Sequence, residues 1–160
     1  MKIAVTGATG FIGKALCPYL TDRIGAGIIA IDRHNLSASD KHLSATLKDV
    51  DCLIHLAARA HTNNATTEDF ERDNQQLCRR IAAIALAANI PRVIYLSSIK
   101  VNGESTKDRA PFTAEDSPAP EDDYGKSKLA CEEILQNSFV NSNTRLVIIR
   151  PPLVYGHYNK

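Results

Sequence analysis

Two side chains four residues apart, the phenol of Tyr124 and the amine of Lys128, carry the clearest chemistry in this sequence. On a helix that spacing places both on one face. An ammonium beside a phenol favours the phenolate and draws its pKa down from about 10 toward neutrality, as a general base for an alcohol requires. Ser98 follows the apolar run that ends Tyr95-Leu96-Ser97. It would hydrogen-bond the same hydroxyl, or its carbonyl product, at the carboxyl end of a strand, where open α/β sheets bind ligands. Ser98, Tyr124 and Lys128 are therefore the candidate catalytic residues for reversible oxidation of an alcohol. An ordinary exposed helical pair is the bland alternative, and Ser98 and the glycine loop argue against it by pointing to a common crevice.

That loop is Thr6-Gly7-Ala8-Thr9-Gly10-Phe11-Ile12-Gly13, entered from an apolar run at 2–5 and followed by a helix-like stretch. Gly7 allows the sharp turn out of a strand, Gly10 the close approach of backbone to a pyrophosphate, and Gly13 the packing of helix on sheet. Backbone N–H groups at the helix start, with Phe11 and Ile12 among the contacts, would hold the phosphates. Asp32, at the end of the second apolar run, is placed to hydrogen-bond an adenosine ribose and favours NAD, because its charge repels a ribose 2′-phosphate. Arg33 argues for NADP, since a guanidinium pairs with that phosphate. NAD is the expected cofactor, with NADP left open.

The elements that must position these residues follow from the apolar pattern. Runs rich in β-branched residues at 2–5, 27–31, 52–56, 92–96 and 145–149 are apolar throughout, as in strands buried on both faces. Stretches with helical spacing at 11–20, 68–88 and 122–139 lie between most of them. The alternation predicts an α/β fold of Rossmann type, a doubly wound parallel sheet with helices on both faces. Pro18 predicts a kink or early end in the first helix. Residues 103–123, with three prolines and many polar groups, form a long excursion. A net charge of +1 advertises neither nucleic acid nor an anionic membrane as a partner, and the amino terminus is too short an apolar run for a signal or a membrane span. Four cysteines without C-x-x-C spacing read as reduced, mostly buried side chains in a cytoplasmic protein, and no metal site is expected.

Taken together, the glycine loop, Ser97-Ser98-Ile99-Lys100-Val101-Asn102-Gly103 and the Tyr124 to Lys128 spacing resemble the extended short-chain dehydrogenases/reductases. Within them the chain is most similar to the UDP-glucose 4-epimerase-like enzymes, including nucleotide-sugar 4-ketoreductases. His55-Leu56-Ala57-Ala58-Arg59, Asn74 and Arg150-Pro151-Pro152-Leu153-Val154-Tyr155-Gly156 extend the resemblance over the whole chain. The resemblance implies that Leu56, Ala57 and Ala58 line the cofactor, that Asn74 lies near its nicotinamide end, and that Tyr124, Lys128 and Pro151 also border it. It further implies hydride transfer between NAD(P) and C4 of a UDP- or dTDP-sugar, with a nucleotide sugar as partner and self-association of the enzyme. A non-catalytic NAD(P)-binding sensor of the same fold is the rival reading.

Leu77-Cys78 stands where the family usually has Gly-Thr, so packing beside the cofactor should differ. Only about twenty residues separate Asp32 from the run at Cys52, so the family's third strand should be shortened or lost, and neither Asp40 nor Asp49 can be assigned its adenine contact. Residues 1–160 are expected to be a dinucleotide-binding domain truncated before the substrate lobe, holding cofactor weakly and turning over little sugar alone. His55 reads as a satisfied buried histidine, Ser97 as a structural neighbour, Lys100 and Arg59 as hydrogen-bonded rim residues, and the carboxylates of 108–123 as a solvated loop.

Overall fold

The computed structural model describes residues 1–32, 35–60, 65–107 and 109–156. Five strands, β1 (Lys2–Thr6), β2 (Gly27–Ile31), β3 (Cys52–His55), β4 (Arg92–Leu96) and β5 (Arg145–Ile149), form one sheet in the order β2-β1-β3-β4-β5. All four pairings are parallel, so the carboxyl ends of the strands share one edge. The doubly wound parallel fold expected from the apolar runs is the fold observed.

Helix α1 (Phe11–Ile24) covers one face and packs Leu16, Cys17 and Leu20 against Ile3, Val5 and Ile54. The larger core lies on the other face. There Leu43 and Leu47, from α2 (Asp40–Thr46) and the residue after it, meet Ile81, Ile84 and Ala85 of α4 (Gln76–Ala87) and Cys131 and Leu135 of α5 (Asp123–Phe139). On β5 the alternation puts Leu146 and Ile148 against that core and leaves Val147 and Ile149 exposed on the α1 side.

Pro18 does not end its helix. It lies on the exposed face, and Lys14, whose carbonyl loses the usual donor, is exposed as well, so water can satisfy the orphan oxygen. The helix runs on to Ile24 and stops at Gly25, whose φ of 62° lets its N–H reach the Thr21 carbonyl while Ala26 N–H reaches that of Leu20.

Between β2 and β3 the described residues form a 3-10 turn at Asn35–Ser37 and α2, and no strand. Among the described residues no third strand lies there, in keeping with the expectation that it is shortened or lost, and β2 is the edge of the sheet. The helix expected over 68–88 is three segments in one continuous rod: α3 (Thr67–Phe70), a π turn at Glu71–Gln75, and α4. A reciprocal capping box between Thr66 and Asp69 starts it. The wider π turn carries Asn74 inward and leaves Arg72 and Asp73 at the surface of a cleft.

Candidate active site

The glycine loop leaves β1 through Gly7, at φ +70°, where a Cβ would lie 2.8 Å from the Ala57 nitrogen. Only glycine meets both demands. Gly10 precedes α1 in extended conformation, no side chain caps the helix, and its first turn holds no acidic residue. Its amino-terminal N–H groups and positive dipole end are thus available to an anion. Gly13 packs on the loop rather than the sheet, since a Cβ there would meet the Gly7 oxygen at 2.4 Å and the Ala8 oxygen at 2.5 Å.

Beside this loop lies a cleft of about 750 Å³. Of the residues singled out in the sequence, Gly7, Gly10, Asp32, Leu56, Ala57 and Ala58 line it. Asp32 and Asn35 are locked reciprocally: Asn35 N–H donates to Asp32 Oδ1 at 2.8 Å, and Asp32 N–H to Asn35 Oδ1 at 2.9 Å. Arg33 lies outside the described residues. Leu77, one of the two departures from the family pattern, joins the cleft wall, while Cys78 turns into the core toward His55 Nε2 at 3.5 Å.

Asn74 is not at the cleft surface. It is buried, accepts the Arg59 N–H at 2.7 Å and donates to Ser127 Oγ at 3.1 Å, tying the loop after β3 to α5. Arg59 itself is paired with Asp73, at 2.7 Å from Nε. Lys100 pairs with Glu104 and Asp122. Both are rim residues with their charges engaged.

Ser98, Tyr124 and Lys128 meet where β4 ends and α5 begins. Asp122 caps α5 by accepting the Gly125 N–H at 2.6 Å, and Gly125 lets the helix start approach the turn after Ser98 so closely that a Cβ would lie 2.7 Å from the Lys100 oxygen. The Ile99 N–H donates to the Pro151 carbonyl at 3.0 Å, which fixes that turn against the chain leaving β5. Ser98 lies beside the Tyr124 phenol and favours its ionised form, while Ser98 Oγ accepts the Lys100 N–H at 3.2 Å. Phe11 and Ile12 are half-buried at the start of α1, with Phe11 near Gly156.

One expectation is corrected here. The Lys128 nitrogen lies 5.9 Å from the Tyr124 ring centre and donates to the Leu96 carbonyl at 2.8 Å. Burial raises the Tyr124 phenol above its ordinary range, the neighbouring Ser98 opposes this, and the Asp122 charge adds to it. Burial likewise lowers the Lys128 ammonium. Desolvation outweighs the attraction expected from helical spacing.

His55 is satisfied on both ring nitrogens, by Thr6 Oγ1 at 2.6 Å and by Cys78, and stacks on Tyr95. Burial, with the Lys128 charge, lowers its pKa to about 3. Ser97 bonds to Glu132, which is fully buried and bound by Arg150 through Nη2 at 2.6 Å. This lock between α5 and the end of β5, and the role of Gly125, were not read from the sequence. A glycine in the first turn of a helix, costing about 1 kcal/mol against alanine, was the available signal for the second.

The NAD dependent epimerase/dehydratase family matches residues 3–160. The UDP-glucose 4-epimerase of Vibrio cholerae is 36% identical over 97% of this chain and 52% of its own length. The UDP-2-acetamido-2,6-beta-L-arabino-hexul-4-ose reductase of Pseudomonas aeruginosa is 28% identical over 100% of this chain and 37% of its own length. The crystal structure of UDP-glucuronic acid 4-epimerase from Bacillus cereus in complex with NAD superposes with a TM-score of 0.84 at 25% identity, covering all of this chain and 59% of that one. The chain spans about half the length of the relatives it matches. With its sheet order, its glycine loop and a match over nearly its whole length, the chain belongs to the NAD dependent epimerase/dehydratase family.

Proposed function

We propose that residues 1–160 form the dinucleotide-binding and catalytic part of a nucleotide-sugar epimerase or 4-ketoreductase. The observation that carries this reading is the grouping of Ser98, Tyr124 and the buried Lys128 where β4 ends and α5 begins, at the sheet edge that the glycine-loop cleft also borders. The names of the V. cholerae and B. cereus relatives favour a UDP-sugar over a dTDP-sugar.

NAD fits the cleft on chemical grounds: an uncapped helix start for the pyrophosphate, Asp32 for a ribose, and Leu56, Ala57 and Ala58 along the wall. Bound there, it would supply the acceptor and donor of hydride for the sugar carbon. Tyr124 Oη moves the proton, taking it from the hydroxyl in oxidation and returning it to the carbonyl oxygen in reduction. Ser98 Oγ orients that oxygen. Lys128 lends positive charge from beneath, at a distance set by its bond to Leu96.

The reading is tested by incubating the uninterrupted enzyme and NAD with UDP-glucose, UDP-galactose, UDP-glucuronic acid and dTDP-glucose and following epimer or reduced product. Turnover of a UDP-sugar is expected. Tight NAD binding with no sugar turned over would favour the sensor instead.

A further inference from the structure

We infer that Arg80 is a positioning residue for the adenosine half of the dinucleotide, replacing the missing third strand as the support for that side of the cleft. The inference rests on the dinucleotide reading above. Arg80 lies on α4, far from the glycine loop in sequence, and its guanidinium reaches the connector after β2 with three of its donors. Nη1 donates to the Leu36 carbonyl, Nη2 to the Ala38 carbonyl at 2.5 Å, and Nε to Asp40 Oδ1 at 2.6 Å.

The connector needs such a support. Among the described residues β2 is the edge strand, so there no ladder partner beyond it orders the residues that follow. Besides its own backbone bonds, the 3-10 turn Asn35–Ser37 is held by the reciprocal Asp32–Asn35 pair at its start and by Arg80 at its end. Between those two anchors Leu36 lines the cleft together with Ile31 and Asp32, and packs in part against the main core. With Asp32 on the ribose, the apolar surface of Leu36 is the next wall along, where a purine ring would rest. A guanidinium fork suits this task because its donors lie in one plane at fixed angles, whereas an ammonium is a single point donor. Its contacts go to two carbonyls that an unsupported turn would otherwise present to water.

The test uses the 160-residue chain with ADP-ribose, which fills the adenosine side, and inorganic pyrophosphate, which reaches only the glycine loop, both titrated by NMR at millimolar concentration. For Arg80→Ala, ADP-ribose affinity is expected to fall about tenfold, the ratio that about 1.4 kcal/mol produces, with pyrophosphate changed by less than about twofold. Arg80→Lys should fall between, and it decides the matter if the alanine variant does not fold. Unchanged ADP-ribose affinity in the variants overturns the inference. Equal weakening of both ligands also overturns it, because Arg80 would then be only a general staple of the fold. A parent chain that shifts with pyrophosphate but not with ADP-ribose would instead take down the dinucleotide reading, and this inference with it.

Discussion

The Lys128 ammonium donates to the carbonyl oxygen of Leu96 at 2.8 Å, which ties the first turns of α5 to the last residue of β4 through a buried charge. The same nitrogen lies 4.8 Å from the Tyr95 ring and 5.9 Å from that of Tyr124. Its charge is therefore sheltered under the site rather than presented at its surface.

Replacing Lys128 by methionine keeps the length of the side chain and removes the charge. Exchanging a desolvated charge for an apolar group is often neutral, while the Leu96 carbonyl left without its donor costs about 1–3 kcal/mol. The melting temperature of Lys128→Met should drop by no more than several degrees, and sugar turnover in the uninterrupted enzyme should fall by orders of magnitude. Turnover near the parent rate would remove Lys128 from the chemistry.

Tyr124→Phe removes the proton carrier and the partner of Ser98 but little volume. NAD affinity should stay close to that of the parent, with kcat reduced by at least about a hundredfold, the lower range for general acid–base groups. Calorimetry and steady-state kinetics separate the two. A loss confined to KM would mean that the phenol binds substrate without moving a proton.

His55 makes stability depend on pH. Its pKa is about 3 in the fold against an ordinary 6.5, so between those values the unfolded chain takes up a proton that the folded chain refuses. Stability is fully present above 6.5 and is lost as the pH falls toward 3, by up to about 1.4 kcal/mol per pH unit. Urea midpoints measured across this range should slope accordingly, and His55→Gln should flatten the slope. An equal slope in the variant would assign the effect to other groups.

Gly10 and Gly13 should respond differently to alanine. At Gly13 a Cβ meets backbone oxygens at 2.4 and 2.5 Å, so the loop itself must move; a loss of about 1–3 kcal/mol in stability and of phosphate binding is expected. At Gly10 a Cβ would meet only the Gly7 oxygen, at 3.1 Å, so the loop must yield by a few tenths of an ångström, and Gly10→Ala should cost less stability than Gly13→Ala while losing dinucleotide affinity. Thermal melts paired with NAD titrations distinguish the two, and a Gly13→Ala protein as stable as the parent would contradict the packing described.

Much of this architecture was legible in the sequence because it depends on neighbours. The runs at Gly27–Ile31, Arg92–Leu96 and Arg145–Ile149 are strands with the bounds their apolar patterns indicate. That a third strand would be shortened or lost followed from counting residues between Asp32 and Cys52. The common face of Tyr124 and Lys128 followed from helical spacing, and the turn at Gly7 from the need for positive φ. What the sequence could not decide is where long side chains end. The Lys128 amine goes to a carbonyl 32 positions away, the Arg80 guanidinium to a turn more than 40 positions away, and Glu132 to Arg150 on another element. Helical spacing foresaw a lowered Tyr124 pKa, but burial raises it, because the cost of desolvation is set by everything packed around the phenol and not by the residue four places along. Pro18 and the π turn teach the same lesson on the backbone: solvent beside Lys14 and the inward anchoring of Asn74 are properties of the folded surface, and they outweigh the local preference written in the chain.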